Sequence, residues 1–269
     1  MRQRCSLARL LASAAMTAIL AAGLGGCQTM SDITGSITSS KPDVSAAADP
    51  RAQVEVYGER YRADPRNAEA ALAYGQALRA TGQRAQAVAV LEQATIKHAG
   101  HKALLAAYGR ALADNGNFQQ AFDVLTRAHS PDNPDWRILS VQGTALDQLG
   151  RHDEARRYYD SALKIAPEEP SVLSNLGMSY VLSRELPKAE EVLRRAYAST
   201  RADARVRQNL GLVVGLQGRF AEAEGIVKAD LPAEEAAANV TYLKQMLSRK
   251  DNPRAGAGTI PVAALNRPD

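Results

Sequence analysis

Five glycines stand 34 residues apart, at Gly75, Gly109, Gly143, Gly177 and Gly211. A fixed period over this much chain means that one small unit is copied, and that each copy buries its apolar face only against its neighbours. The copies stay in phase beyond these glycines. Seven residues later come Gly82, Gly116, Gly150 and Gly218, with Arg184 in the fourth copy. Twelve residues after each first glycine stands Ala87, Ala121, Ala155, Ala189 or Ala223. Four further on is a large side chain: Leu91, Leu125, Tyr159, Leu193 or Val227. Three beyond that come Ala94, Ala128, Ala162 and Ala196, before Asp230 breaks the series.

The physical reading is two helices per copy, A and B, joined by a tight turn. The first glycine is expected to let helix A lie close against helix B, with the invariant alanine as the partner of that contact. A large side chain at either place would cost about 1–3 kcal/mol of overpacking. The second glycine is expected to end helix A in a left-handed cap. At Arg184 that turn is expected to close differently, helped by Pro187 at the start of helix B, so the fourth copy is where irregular geometry is anticipated.

This phasing resembles the tetratricopeptide repeat (TPR), a helix–turn–helix unit with a 34-residue period, over about residues 51–248. The resemblance implies an all-α TPR solenoid, a right-handed superhelix with helix A lining its concave face. Five repeats run from residue 68. Residues 51–63 fit the helix B phase, with Tyr57 at the large position, and read as an amino-terminal capping helix. Residues 233–249 carry Val240, Leu243 and Leu247 at helical spacing and read as a terminal helix covering the last apolar face. The repeat domain is thus expected over 51–249, with about twelve helices and no sheet. Residues 250–269, with Pro253, Pro261 and Pro268, read as a disordered tail.

Ahead of the repeats lies an address. A basic start (MRQRCSLAR) is followed by an apolar run of about fourteen residues, too short for a bilayer span of ~20, and then by Leu24-Gly25-Gly26-Cys27. Those four residues resemble the bacterial lipobox. The resemblance implies a signal peptide over 1–26, cleavage before Cys27, and lipidation of the Cys27 thiol and the new amino terminus. Three acyl chains at ~0.8 kcal/mol per buried methylene make a durable membrane anchor. In the lipoprotein family an aspartate after the cysteine favours inner-membrane retention, so the same resemblance, with Gln28 there, implies the outer membrane, with the chain on its periplasmic face. Residues 27–50 then read as a flexible tether of Ser, Thr, Ala and Asp. Loss of Cys5 with the leader leaves Cys27 alone, so no intrachain disulfide forms.

The formal charge is 33 − 29 = +4, and Arg2, Arg4 and Arg9 belong to the leader. The remainder, 30 − 29 = +1, gives no support to a nucleic-acid partner. An aromatic content of 5% argues against an all-β sandwich.

Counting each repeat from seven residues before its first glycine, positions 4, 7, 8 and 11 of helix A share an arc of about 100°. These are expected to pack, and positions 2, 5, 9 and 12 to face the groove. The early groove is polar and arginine-bearing, with Gln76, Arg79, Arg110 and Arg137. The later groove is apolar, with Met178, Val181 and Leu212 as anchors for an extended or helical peptide. Asn175 and Asn209, at position 6, could bond a peptide backbone. The competing reading is that the apolar residues pack on the terminal helix. The lysine-and-asparagine carboxylate clamp of chaperone-binding family members is not matched.

No catalytic constellation emerges. Ser161 and Lys164 match S-x-x-K, but the S-D-N and K-T-G partners are missing. His98 and His101 straddle a repeat boundary and read as loop residues rather than metal ligands. Trp136, at the first position of its repeat, reads as inter-repeat packing. No cofactor, metal or small-molecule substrate is expected, and no enzymatic role. Within the TPR class, the leader, the repeat count and the terminal AAANVTYLKQMLS segment resemble the TPR lipoprotein of tight-adherence (Tad) pilus systems. That implies a pilotin-like scaffold whose protein partner is a secretin or pilus-assembly component. The alternatives are a scaffold for cell-wall hydrolases and, from another class, an enzyme.

Overall fold

The computed structural model describes residues 49–130 and 132–251. Twelve helices follow one another: α1 (Pro50–Ala63), α2 (Ala68–Ala80), α3 (Arg84–Lys97), α4 (Lys102–Asp114), α5 (Phe118–Ala128), α6 (Trp136–Gln148), α7 (His152–Ile165), α8 (Pro170–Leu182), α9 (Leu186–Tyr197), α10 (Ala204–Leu216), α11 (Phe220–Val227) and α12 (Ala233–Asp251). The β-structure among the described residues is one isolated bridge, Ser130 to Asn133. The leader, Cys27, nearly all of the tether and residues 252–269 lie outside the described residues. The repeat helices begin at Pro50 and end at Asp251, slightly wider than the expected 51–249.

The period becomes geometry directly. Helices α2, α4, α6, α8 and α10 are each 13 residues long and begin 34 residues apart; these are the A helices. Helices α3, α5, α7, α9 and α11 begin at the same interval and are the B helices. Each A helix starts at a residue whose side chain accepts from the first turn. Asn67 Oδ1 accepts from the Ala70 amide at 3.0 Å, Asp203 Oδ1 from Val206 at 3.0 Å, and His101 Nδ1 from Leu104 at 3.3 Å. His98 places its Nε2 2.7 Å from the Arg66 carbonyl. The histidine pair therefore serves helix ends.

Each A helix stops in a left-handed residue. Gly82 has φ 76°, and the next amide, Gln83, donates back to Leu78 O at 2.8 Å. Arg184 does the same with φ 63°, and Glu185 donates to Tyr180 O at 2.8 Å. The expectation of a different closure in the fourth repeat is thus overturned. The backbone keeps the common turn and imposes on arginine a conformation that costs an L side chain about 1–2 kcal/mol.

The intra-repeat contact also corrects the sequence reading. A Cβ on Gly75 would lie 2.5 Å from Leu91 Cγ, on Gly109 2.5 Å from Leu125, and on Gly143 2.6 Å from the Tyr159 ring. Gly177 and Gly211 meet Leu193 and Val227 in the same way. The glycine therefore makes room for the large helix B residue sixteen positions on. Among the three atoms nearest each of these positions, the alanine contributes only a backbone oxygen, as at Ala121 O, 3.4 Å away. Each such Leu is fully buried, a burial worth about 1.5–3 kcal/mol.

Between repeats, the backbones of successive A helices lie close together, whereas successive B helices stand further apart and meet only through side chains, as Phe122 on α5 and Tyr158 on α7 do with ring centres 5.6 Å apart. Within the repeat unit the array consequently curves with the A helices on its inner side. This also widens the buried arc of helix A. Positions 4, 7, 8 and 11 are buried nearly throughout, but so are Leu104, Ile138, Val172 and Val206 at position 3, and Ala77, Ala111, Ala145, Ser179 and Val213 at position 10. A solenoid helix is covered from two sides, by its own B helix and by the preceding repeat.

Candidate functional site

The exposed strip of the inner face is narrower than four positions per helix. Positions 2 and 9 stay accessible: Gln76, Arg137, Arg205, Gln208 (position 5 of the last repeat) and Leu212 are exposed, and Arg110 and Met178 are half-buried. Position 5 is buried at Ala106, Ser140 and Ser174, and position 12 is buried at Asp147 and Gly215. These residues belong to the seam between consecutive A helices rather than to an open groove, which corrects the sequence assignment of those positions.

That seam holds polar ties that the sequence did not reveal. Asn175 Nδ2 donates to Ser140 Oγ at 3.0 Å, and Asn209 Nδ2 donates to Ser174 Oγ at 2.9 Å. Both pairs are separated by 35 residues, one repeat plus one. The amide donors of Asn175 and Asn209 thus fasten neighbouring repeats together. Asp147 accepts from Ser179 Oγ at 2.7 Å and from Tyr159 OH at 2.9 Å, and lies 2.9 Å from His152 Nδ1. Burial first, and the Asp147 charge second, push the Tyr159 phenol far above its ordinary range. The sign of such a cluster in sequence is tyrosine replacing the recurrent leucine at position 24 of the third repeat, where Tyr159 sits.

At the early end of the face stand three arginines. Arg79 donates through Nε to Asp114 Oδ2 at 2.6 Å, bridging α2 and α4. Arg137 lies with its guanidinium 4.5 Å from the centre of the Trp136 ring. Arg110, on α4 between them, makes no hydrogen bond or ion pair among the described residues. Burial, together with the like charges of Arg79 and Arg137, lowers its pKa from the ordinary guanidinium value.

At the late end, the three apolar anchors have different surroundings. Val181 packs beside the buried Leu210, Val213 and Val214. Leu212 lines a cleft of about 610 Å³ between α10, α11 and α12, shared with Val240, Tyr242, Leu243 and Met246. Leu243 closes against Gly215, whose Cβ would lie 2.5 Å from Leu243 Cδ2. Helix α12 therefore takes up part of the apolar surface, yet Leu212 remains 36% exposed, in the same cleft as exposed Met246. Met178 is half-buried.

Ser161 Oγ donates to the Arg157 carbonyl at 2.8 Å within α7. No group of three or more His, Cys, Asp or Glu side chains that could hold a metal occurs among the described residues. None of the described helices is long and apolar enough to cross a membrane.

Comparison with known proteins agrees with the helical geometry. The family described as Tetratricopeptide repeat matches residues 125–170 and 140–207, and that described as Anaphase-promoting complex, cyclosome, subunit 3 matches residues 53–128. Among solved structures, a tetratricopeptide repeat protein from Parabacteroides merdae is similar with a TM-score of 0.62 at 14% identity, over 76% of this chain and 78% of that one. A chain of the APC/C hetero-tetramer Cut9-Hcn1 is similar with a TM-score of 0.61 at 18% identity, over 77% of this chain but only 41% of its own length. The chain thus spans about two fifths of that relative. PilW, described as a widely conserved type IV pilus biogenesis factor, is similar with a TM-score of 0.61 at 18% identity, over 72% of this chain and 91% of its own. A sequence comparison with curated proteins gives no match.

Proposed function

From the all-α tetratricopeptide-repeat solenoid that this chain forms, a fold suited to protein–protein interaction, we propose a lipid-anchored scaffold that holds a segment of another protein against the inner face of its A helices. The observation that carries this reading is the set of accessible position-9 side chains on consecutive A helices, from Gln76 and Arg110 to Met178 and Leu212. They line the inner face, where all five repeats present this position in register. A solenoid offers an extended surface of this kind rather than a deep, dry pocket for chemistry.

The finer reading is a pilotin-like role at the periplasmic face of the outer membrane, in assembly of a Tad-type pilus or secretion machine, with a secretin or pilus component as partner. Its support is the lipobox ending in Cys27, Gln28 after it, and a fold shared with a protein described as a pilus biogenesis factor. The test is a pull-down from membranes with the lipidated protein as bait. A secretin or pilus component retained by the wild type and lost with Cys27→Ser or with Met178→Ser/Leu212→Ser is the expected result. Recovery of cell-wall hydrolases instead would place the protein with a different envelope complex.

A further inference from the structure

Arg110 is the one arginine of the early face whose guanidinium is both half-buried and without a hydrogen-bonding partner among the described residues. The two carboxylates whose charges act on it are already engaged. Asp114 is held by Arg79 Nε at 2.6 Å, and Asp135 caps α6 by accepting from the Arg137 amide at 2.8 Å. Helices α2, α4 and α6 are consecutive neighbours on the inner face, so Arg79, Arg110 and Arg137 come from three successive repeats. Building the groove around an unpaired, partly desolvated cation is costly unless an anion completes it.

We infer that the Arg79, Arg110 and Arg137 face is a docking site for an acidic peptide segment, whose carboxylates pair with Arg110 and Arg137. This rests on the groove reading above and names the chemistry of the partner. A planar guanidinium offers two parallel N–H donors to one carboxylate, which a lysine cannot do. Packed helices lie about 8–10 Å apart, and three residues of extended peptide rise about 10 Å. Carboxylates a few residues apart on an extended segment can therefore reach arginines on successive helices, the long side chains taking up the offset between Arg110 and Arg137 along their helices. Carboxylates separated by neutral residues can sit on the arginines and avoid Asp114 and Asp135, which a phosphate on every unit of a nucleic acid cannot, so a peptide is the fitting occupant.

Trp136, the chain's single tryptophan, lies against Arg137 and reports on the site. The experiment is a titration of the full chain, followed by Trp136 emission, with a peptide of three Glu-Gly-Ser units, its Gln-Gly-Ser counterpart and a thymidine oligonucleotide. The expected result is a saturable change with the glutamate peptide alone, weakened by added salt and weakened about tenfold by Arg110→Gln, as for loss of one charge-assisted pair. Arg110→Lys should recover part of the binding. Should Arg110→Gln alter the melting curve, exposed Arg137→Gln gives the same readout. Equal binding of the glutamine peptide, tighter binding of the oligonucleotide, or undiminished affinity in both folded arginine variants would overturn the inference. In the membrane pull-down, capture that survives Arg110→Gln but is lost with Met178→Ser/Leu212→Ser would overturn the acidic site and leave the groove reading standing. Capture indifferent to both would overturn the groove reading itself.

Discussion

At the scale of single residues, the glycine of each repeat is a socket for the large side chain sixteen residues later. Gly143→Ala would bring a methyl carbon to 2.6 Å from the Tyr159 ring, and should destabilise the domain by about 1–3 kcal/mol in chemical denaturation. Arg184 gives the opposite case. It holds a left-handed φ of 63° that four glycines hold elsewhere at the same phase. Arg184→Gly should raise stability by about 0.5–1 kcal/mol, since relief of strain outweighs the extra freedom glycine gives the unfolded chain. A lower denaturation midpoint for Arg184→Gly would show that the turn is not strained. The recurrence of Gly and Ala made the helix pairs legible in sequence. The identity of the contact was not, because a residue spacing does not say which of two facing side chains enters the space.

At the scale of elements, breaks in the pattern turn out to be paired. Position 4 is Ala71, Leu105, Leu139 and Leu173 in four repeats but Arg207 in the fifth, and Asp230 interrupts the alanine series in the same repeat. The two meet, with Arg207 Nε 2.6 Å from Asp230 Oδ2. That hydrogen-bonded cation holds the Asp230 carboxyl below its usual range. Arg207→Leu alone should lower the melting temperature by leaving the Asp230 carboxylate without its partner, and Asp230→Ala in the same chain should recover most of the loss. Equal melting of the single and double variants would contradict the pairing.

Helices α9, α10 and α11 are joined by a second electrostatic device. Glu190 accepts from Arg219, from Arg194 Nε at 2.8 Å and from Gln217 Nε2 at 2.8 Å. These bonds, Arg219 foremost, bring its pKa from the ordinary 4.5 to about 2. A carboxyl lowered on folding stabilises the native state above the unfolded value, and that stability is lost as pH falls through the folded one. Unfolding measured between pH 4.5 and 2 should therefore show a weaker pH dependence in Glu190→Gln than in the wild type.

At the scale of the whole molecule, the lengths and phases of the helices were readable from one period, and the face available to a partner was only half readable. The helix arithmetic treated helix A as covered from one side. Contact with the preceding repeat adds positions 3 and 10 to the buried arc, takes Ser140 and Ser174 out of the groove, and engages the Asn175 and Asn209 amides. What remains accessible is an arginine-bearing strip at the early end and an apolar one, partly taken up by α12, at the late end. Both lie on the inner side because the backbones of successive A helices approach one another more closely than those of successive B helices. The central claim is that this inner face, and not the outer one, grips another polypeptide. Its most direct test is photocrosslinking in cells producing the full chain, with a benzophenone side chain replacing either Leu212 on α10 or exposed Asp160 on α7. The account predicts a discrete protein adduct from position 212 and none from position 160. Adducts from position 160 with none from 212 would contradict it.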